Sequence, residues 1–502
     1  MRRSPRTHPT EGAMLAPRSA RTHRPRRILL GVPVKTRDLD GHALVAYHLT
    51  RRYGHEVLVQ TLPDTEVAVL EHACDAIVLD YLGWEPRAQQ ARLAKAIGMK
   101  VIVLPTAGLY EKREDHARSA GKDTGAGSSI DCYLTWGDDA RDAVLAYGVL
   151  PPERIHSAGC PRFDLYHESY RSLLQPRADF LRRHGIDDPG APVVLWATST
   201  NHFMRNHRTL ERAGRALGRI PAAETRAQIE DERTQFTEHS RLVLALATRH
   251  PEWSIIIKVH PLEWINPYLS LPEQAPNIHL AFNAPIRDFL AHCDVLLQRG
   301  CTTATEAWML GKPVLELAMG RYHGATPVEH VRGNHVVTSL EETEEAIGCY
   351  LAGMPVSAER QRARDAYLTH MYNGIDGRAS ERCAALIDRV LSPPAYSDAD
   401  QASVRAAARA ALAHWKRAED ARIVNRFKDA FGISRRRSLR FWRPWLRREA
   451  RPNAGRFSAK PAITPDDVSE LYQRYDRIHI TARAAGRCSD TVTAQHGSGE
   501  QA

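Results

Sequence analysis

The sequence lacks several features that would assign it to a class at once. In its 502 residues no apolar run approaches the roughly 18 residues needed to cross a bilayer. The arginine-rich first 27 residues contain no apolar central region, so they do not predict a secretory signal. The eight cysteines are scattered, without a CxxC pair or another metal-ligand spacing. We therefore expect a cytoplasmic protein with reduced cysteines and no structural zinc.

Basic charge is also absent from most of the chain, although the net charge is +10. Residues 2–27 and residues 434–451 each contribute +7, which leaves about −4 for everything else. A fold that binds duplex nucleic acid needs a basic face on its globular body. The charge distribution therefore predicts no specific nucleic-acid partner for the body.

The second basic segment, SRRRSLRFWRPWLRREAR, combines arginines with Phe441, Trp442 and Trp445. Aromatic rings at headgroup depth and arginines on phosphates suit an anionic membrane surface. Two alternatives remain open: the rings could stack on single-stranded nucleic acid, or they could pack on the body beneath a solvated basic helix. We expect peripheral attachment of residues 434–451 to the inner face of the membrane.

Short, almost wholly apolar runs alternate with helical stretches in two successive series. Such runs predict parallel sheets covered by helices on both faces. We therefore expect an α/β fold with two doubly wound, Rossmann-like domains that face a cleft. The first series is RILLGV (27–32), EVLVQ (56–60), AIVLD (76–80), KVIVL (100–104) and YLTW (133–136). The second is VVLWAT (193–198), SIIIKV (254–259), NIHLA (277–281), DVLLQ (294–298), PVLEL (313–317) and HVVTS (335–339).

Changes of composition along the chain predict the domain boundaries. We expect a disordered basic arm (1–26), a first Rossmann-like domain (27–165), a helical linker (166–190), a second Rossmann-like domain (191–395), a basic helical extension (396–485) and a disordered tail (486–502).

The strand SIIIKV continues as KVHPLE, and period-2 alternation places Lys258 and His260 on one side of it. Pro261 has no N–H and stops the pairing just after them. Ligands of open α/β sheets bind at the carboxyl ends of the strands, where a lysine and a histidine suit a phosphate. The alternative is a solvated lysine and a histidine bonded to a loop carbonyl.

The stretch RGCTTATEAWMLGKPVLEL places small hydroxyl residues where a strand passes into a helix. A capping box with Thr303 as N-cap and Glu306 as its partner explains both residues structurally. The same geometry favours anion binding, because free N–H groups of the helix start would face a phosphate. Gly300 would allow close approach, Thr302 would add a hydroxyl, and Glu306 could reach a ribose.

Three further polar segments are candidates, two directly after predicted strands and one, AGCPRFDLY, at the junction between the domains. Each has a structural alternative: Asp38 or Asp40 as a helix cap, an ion pair between Arg162 and Asp164, and an ordinary loop for the third. The candidate cleft residues are Lys35 and Arg37 in PVKTRDLDGH, Arg162 and Asp164 in AGCPRFDLY, and Asn201 and His202 in ATSTNHFMRN.

Taken in order, these segments resemble the bacterial surface carbohydrate biosynthesis proteins. The opening ILLGVPVKTRDLDGHALVAYHL is similar to their K-x-R-[ED]-L-D segment, and AGCPRFDLY is similar to their G-x-P-R-x-D junction. KVHPLE and GCTTATEAWMLGKPVLEL resemble the paired motifs of GT-B glycosyltransferases, CDP-glycerol glycerophosphotransferases and capsule transferases. YNGIDGRASERCAALI resembles the C-terminal helix region of the family. The resemblance covers residues 27–395.

The resemblance implies a GT-B enzyme of surface polysaccharide biosynthesis, with an acceptor domain followed by a nucleotide-donor domain. Lys258 and His260 would contact the donor phosphate, Gly300, Thr302 and Thr303 would cradle it, and Glu306 would bind ribose. The donor would be a nucleotide sugar or a CDP-polyol, and the acceptor a glycan or a lipid-linked molecule. No metal or other cofactor is expected, because protein cations and a helix dipole neutralise the leaving phosphate.

The sequence departs from related capsule transferases in one segment. Where they carry acidic residues before a glycine, this chain reads KVIVLPTAGLYEK and has no acid there. Glu111, Asp38 and Asp40 are the candidates for the base that deprotonates the acceptor. Two other functions stay open: a non-hydrolysing sugar-nucleotide epimerase, and a catalytically inactive GT-B scaffold at the membrane.

Overall fold

The computed structural model describes residues 24–61, 67–72, 74–107, 113–200, 222–261, 263–319, 328–430 and 463–479. Two six-stranded sheets, with every pair of neighbouring strands parallel, organise this part of the chain. The strands of the first sheet are β1 Arg27–Gly31, β2 Glu56–Gln60, β3 Ala76–Leu79, β4 Lys100–Val103, β5 Cys132–Thr135 and β6 Ile155–Ser157. Those of the second are β7 Val193–Ala197, β8 Ser254–Lys258, β9 Ile278–Ala281, β10 Val295–Gln298, β11 Val314–Leu317 and β12 His335–Val337.

Helices connect the strands and cover the sheets. Those of the first domain are α1 Lys35–His48, α2 Val67–Glu71, α3 Glu85–Ala96, α4 Arg113–Ser119, α5 Asp138–Ala146 and α6 Pro161–Asp164. The next helix, α7 Arg177–Arg183, packs on the second domain, where Phe180 contacts Phe289. Those of the second are α8 Ala222–Arg249, α9 Leu271–Gln274, α10 Ile286–His292, α11 Thr303–Met309, α12 Val328–Val331, α13 Leu340–Leu351 and α14 Ala358–Tyr372. The chain continues with α15 Ala379–Leu391, α16 Asp398–Ala430 and α17 (465–479).

The predicted α/β fold class with two doubly wound parallel sheets is confirmed. Both faces of the second sheet are buried: Leu195 and Ile256 belong to one core cluster, and Trp196 and Ile257 belong to the cluster on the opposite face. β6 is the one strand of the described residues that the periodicity missed, because Ile-His-Ser is short and lies at an edge.

Each sheet has one point at which the strand order reverses. The first sheet has the order β2-β1-β3-β4-β5-β6, so the reversal lies between β1 and β3. The second has the order β12-β11-β10-β7-β8-β9, so the reversal lies between β7 and β10. Open α/β sheets bind ligands in the crevice outside the carboxyl ends of the strands at such points.

The end of the chain returns to the first domain. Ile387 of α15, Val404 of α16, and Leu471 and Tyr475 of α17 all lie in the core cluster built on the first sheet. The predicted second domain, 191–395, includes α15. In the structure α15 follows the second sheet in the chain but packs in the core of the first domain. Local periodicity predicts a helix at these positions but does not contain the information on which sheet it covers.

A second core cluster crosses the junction between the domains. Trp136 and Phe163, from the first domain, lie in the same cluster as Leu195 and Leu290, from the second. Apolar burial therefore holds the two domains together close to the carboxyl ends of both sheets. In the described parts of the chain, no helix combines the length and apolar character needed to span a membrane.

Candidate functional site

The loops that follow β7, β8 and β10 are bonded to one another at the carboxyl edge of the second sheet. The amide of His260 donates to the Thr198 hydroxyl at 2.9 Å, which joins the end of β8 to the end of β7. The Ser199 hydroxyl donates to the carbonyl of Arg299 at 2.7 Å, which joins the end of β7 to the end of β10. The two predicted donor motifs, around His260 and around Gly300, are thus brought to one edge.

A buried carboxylate supports this edge from beneath. Glu263 accepts hydrogen bonds from the Thr198 hydroxyl at 2.6 Å, from the Tyr268 hydroxyl at 2.7 Å and from the amide of Thr200. Burial raises the pKa of Glu263, while these donors act in the opposite direction. Pro261 lies between His260 and this carboxylate, beyond the end of β8.

Lys258 is the last residue of β8 and is only 4% exposed. Its ammonium donates to the carbonyl of Val259 at 3.1 Å and lies 5.9 Å from the centre of the Phe289 ring. Burial lowers its pKa to about 8, and Glu263 offsets only part of that effect. The alternative of a solvated lysine is therefore wrong. Its charge has a carbonyl and a ring face as neighbours, which leaves the capacity to attract an anion.

The turn after β10 is held in place by Glu316, a residue that sequence reasoning missed. Gly300 has φ +56°, a left-handed conformation that glycine adopts without strain. Its amide donates at 2.9 Å to Glu316, which also accepts from Asn334 at 2.9 Å and from Gln298. The sequence signal for Glu316 was available: an acidic residue in the middle of a buried strand needs partners.

The predicted capping box is wrong. The N-cap of α11 is Thr302 rather than Thr303, and its side chain makes no capping hydrogen bond. The Glu306 carboxylate accepts from the Tyr166 hydroxyl and lies 3.3 Å from Arg162 Nη2. Glu306 is buried, and a buried carboxylate is stabilised by a guanidinium beside it, so Glu306 pairs across the domain junction.

Asp38 is the central group at the carboxyl edge of the first sheet. Arg37 donates to it at 2.7 and 2.9 Å, the amide of Val34 donates at 3.2 Å, and Arg162 Nη1 lies 3.4 Å away. Burial alone would raise the pKa of Asp38, but Arg37 and Arg162 outweigh burial and hold the pKa below its ordinary value. Since Arg162 also contacts Glu306, the network runs from one domain into the other.

The other charged residues near the start of α1 contact later parts of the chain. Lys35 pairs at 2.7 Å with Asp467 on the C-terminal helix α17. Asp40 lies 3.4 Å from Arg287 of the second domain, and its carbonyl accepts from the Tyr475 hydroxyl at 2.8 Å. Lys35, a predicted cleft residue, and Asp40, a candidate base, are therefore both occupied by tertiary contacts.

Asp164 is a helix cap and does not pair with Arg162, so the structural alternative of an ion pair between them is wrong. Its carboxylate accepts from the amides of Ala379 and Ser380 at 2.9 and 2.7 Å, and from the Ser380 hydroxyl at 2.6 Å. These donors are at the start of α15, which Asp164 thereby anchors to the first domain. Glu111, Asn201 and His202 lie outside the described residues.

No protein-family model and no curated protein matches this chain. Solved structures with a similar course include the UDP-GlcNAc 2-epimerase of Neisseria meningitidis bound to UDP-GlcNAc, which is 14% identical, with 73% of this chain and 99% of that chain covered and a TM-score of 0.46. The UDP-GlcNAc 2-epimerase of Methanocaldococcus jannaschii is 11% identical, with coverage of 72% and 99% and a TM-score of 0.46. The wall teichoic acid polymerase TagF is 13% identical, with coverage of 73% and 89% and a TM-score of 0.43.

Proposed function

We propose that this chain is a GT-B-type transferase of bacterial surface polysaccharide biosynthesis. It moves a sugar or a polyol phosphate from a nucleotide-activated donor to a hydroxyl group of a glycan or lipid-linked acceptor. The observation that carries the proposal is the contact of Arg162 with both Asp38 and Glu306. This contact joins the carboxyl edges of the two sheets, where both strand orders reverse.

The donor would lie at the edge of the second sheet. Lys258 supplies a cation without a carboxylate at ion-pair distance among the described residues, and His260 lies two residues further on. Gly300 opens the turn opposite them, followed by the hydroxyls of Thr302 and Thr303. Charge-assisted hydrogen bonds to a phosphate would restore the solvation that Lys258 has lost.

Isothermal titration calorimetry tests donor binding, with CDP-, CMP-, UDP-, GDP- and TDP-linked ligands. Lys258→Ala should weaken binding by at least about tenfold, because it removes a charged hydrogen bond. Lys312→Ala is the matched control: Lys312 also donates to a backbone carbonyl, that of Cys293 at 2.8 Å, but it lies at the amino end of β11. Absence of binding by the unaltered chain, or an equal loss in both variants, contradicts the proposal.

Turnover separates the transferase from the alternatives. A transferase consumes the bound donor only when an acceptor is supplied, whereas an epimerase converts the nucleotide sugar without one. An inactive scaffold would bind a donor or a glycan and release no nucleotide with any acceptor. Nucleotide release measured with and without acceptor therefore distinguishes the three.

We also propose that the chain is a peripheral protein of the inner membrane face, attached through residues 434–451. This segment lies outside the described residues, between α16 and α17. Replacing its arginines by glutamine preserves the chain length between the two helices and should abolish co-sedimentation with phosphatidylglycerol vesicles. Unchanged sedimentation, or stronger binding to single-stranded RNA than to vesicles, speaks against membrane attachment.

A further inference from the structure

His42 lies on α1 and is 5% exposed. Its Nδ1 is 3.0 Å from the backbone carbonyl oxygen of Asp38, one helical turn earlier. A carbonyl oxygen can only accept, so Nδ1 carries the proton and donates it. In the neutral imidazole the other nitrogen, Nε2, then holds a lone pair and is the basic atom.

That basic atom has no hydrogen-bond partner among the described residues, although it is buried. Leaving a buried polar atom unpaired costs about 1–3 kcal/mol, so such atoms are uncommon in folded proteins. His42 lines a pocket together with Leu104, Pro105, Thr106, Pro161 and Arg162. The residue that carries the unpaired nitrogen therefore forms part of the wall of a pocket that could take a small polar group.

Burial and the charged groups around His42 together favour a neutral imidazole ring. Burial lowers its pKa, Asp38 and Asp80 act in the opposite direction, and Arg37 adds to the lowering. Arg162, from α6, faces the same pocket. A ring that is unprotonated near neutral pH can accept a proton, which is the state required of a general base.

The pocket lies at the junction between the domains. Arg162, which lines it, is 3.3 Å from Glu306 of the second domain. Glu306 lies one turn into α11, directly after the turn at Gly300 where the donor is proposed to bind. Arg162 thus links this pocket to the helix that follows the proposed donor site.

The carboxylates at the same edge are already paired with arginines. Both oxygens of Asp38 are occupied, because Arg37 donates to each of them and Arg162 and the amide of Val34 donate to one each. Asp40 faces Arg287 at 3.4 Å. Of the described groups that line the pocket, His42 is the one with a free basic atom.

We propose that His42 Nε2 accepts the proton of the acceptor hydroxyl, and that the acceptor is a sugar or polyol that inserts a hydroxyl into this pocket. The acceptor oxygen forms its bond to the transferred carbon or phosphorus while the bond from that atom to the nucleotide phosphate oxygen breaks. The electron pair leaves with the nucleotide phosphate, and the proton stays on His42. This inference rests on the proposed function.

His42→Asn is the decisive variant, because its side-chain amide can still donate to the Asp38 carbonyl but offers no base. With the donor found by calorimetry, we expect nucleotide release in the presence of sugar and glycerol acceptors to fall at least about 100-fold. Donor affinity should stay within about twofold of the unaltered chain. The acidic limb of the pH–rate profile should disappear. Retention of turnover in His42→Asn would show a purely structural histidine and overturn the inference.

His48→Asn is the matched control. His48 lies on the same helix and its Nε2 is likewise buried without a hydrogen-bond partner among the described residues, but its ring packs against Tyr47 and His479, away from the pocket. The turnover of His48→Asn should equal that of the unaltered chain. An equal loss of turnover in His48→Asn and His42→Asn would show a packing effect and overturn the assignment.

A measurement without any donor keeps the inference separate from the proposed function. In the full-length chain labelled with ¹⁵N-histidine, the signal missing from His42→Asn identifies His42. We expect a neutral ring with the proton on Nδ1 near pH 7, and a shift of Nε2 on addition of glycerol. A proton on Nε2, or no response to glycerol, overturns the inference even if nucleotides bind. If no nucleotide binds while the Nε2 response is present, only the proposed donor chemistry fails.

Discussion

Charged side chains have different partners at the carboxyl edges of the two sheets. At the first edge, Asp38 has two arginine partners and Lys35 has Asp467, so each of these charges is neutralised by its neighbours. At the second edge, Lys258 is more deeply buried than Lys35 but faces a carbonyl and an aromatic ring. A neutralised edge can hold a neutral hydroxyl and a neutral base, whereas an uncompensated buried cation favours an anion. The four predictions that follow test this contrast.

The largest effect is expected from breaking the paired network. Arg162→Met leaves Asp38 and Glu306 buried without their common partner, so the free energy of unfolding should fall by about 3–5 kcal/mol. Denaturant unfolding measures it, with Arg141→Met as control because Arg141 pairs with Asp138 on an exposed surface. That control should change stability by less than about 1 kcal/mol. Equal effects of the two variants would mean that the junction network contributes no more than a surface pair.

The second effect concerns the buried cation and depends on pH. The pKa of Lys258 is about 8 in the folded chain against an ordinary value of 10.5. Between these values the unfolded chain binds a proton that the folded chain does not, so stability rises with pH. Lys258→Met should therefore be more stable than the unaltered chain below pH 8, by about 3 kcal/mol. The difference in the free energy of unfolding between Lys258→Met and the unaltered chain should disappear by pH 10.5. Chemical denaturation measures this difference, and a difference that does not change with pH contradicts the prediction.

A smaller loss is expected at the junction of α15 with the first domain. Asp164→Ala removes the acceptor for three donors at the start of the helix and should cost about 1–2 kcal/mol. Asp164→Asn keeps one acceptor oxygen and should lose less. Thermal denaturation of both variants checks the order, and an alanine variant as stable as the asparagine variant would show that the cap contributes little.

The smallest effect is expected for the paired lysine of the first edge. Lys35→Ala removes a partly exposed ion pair and should change stability by less than about 1 kcal/mol. Donor affinity in calorimetry should stay within about twofold, in contrast to the loss of at least about tenfold for Lys258→Ala. Comparable losses in the two variants would remove the distinction between the edges.

Much of the fold could be predicted from the sequence because it depends on local patterns. The apolar runs predicted eleven strands of the two sheets within one or two residues, and alternation placed Lys258 on the side of Ile256, opposite Val259. β6 was missed because three residues carry too little periodicity. The return of α15 to the first core was missed because helical periodicity does not specify a partner.

The candidate site was predictable only in part. The polar residues at the strand ends were found because a carboxyl edge of a parallel sheet is a known place for ligands. Their partners were not found: Glu306 follows Arg162 by more than a hundred residues, and the capping box was the nearer local explanation. His42 was missed because a histidine within an apolar helix gives no sign of which nitrogen lacks a partner.

The sequence by itself determined the two parallel sheets and the positions of Lys258, His260 and Gly300 at one edge, since period and turn chemistry act over a few residues. Only the tertiary structure decided which charges are neutralised. A buried charge loses its hydration and is stabilised by an opposite charge or a hydrogen-bond partner beside it. The element that packs closest in the tertiary structure supplies that partner. Arg162 therefore meets Glu306, Lys35 meets Asp467, and the ammonium of Lys258 remains without a carboxylate at ion-pair distance among the described residues.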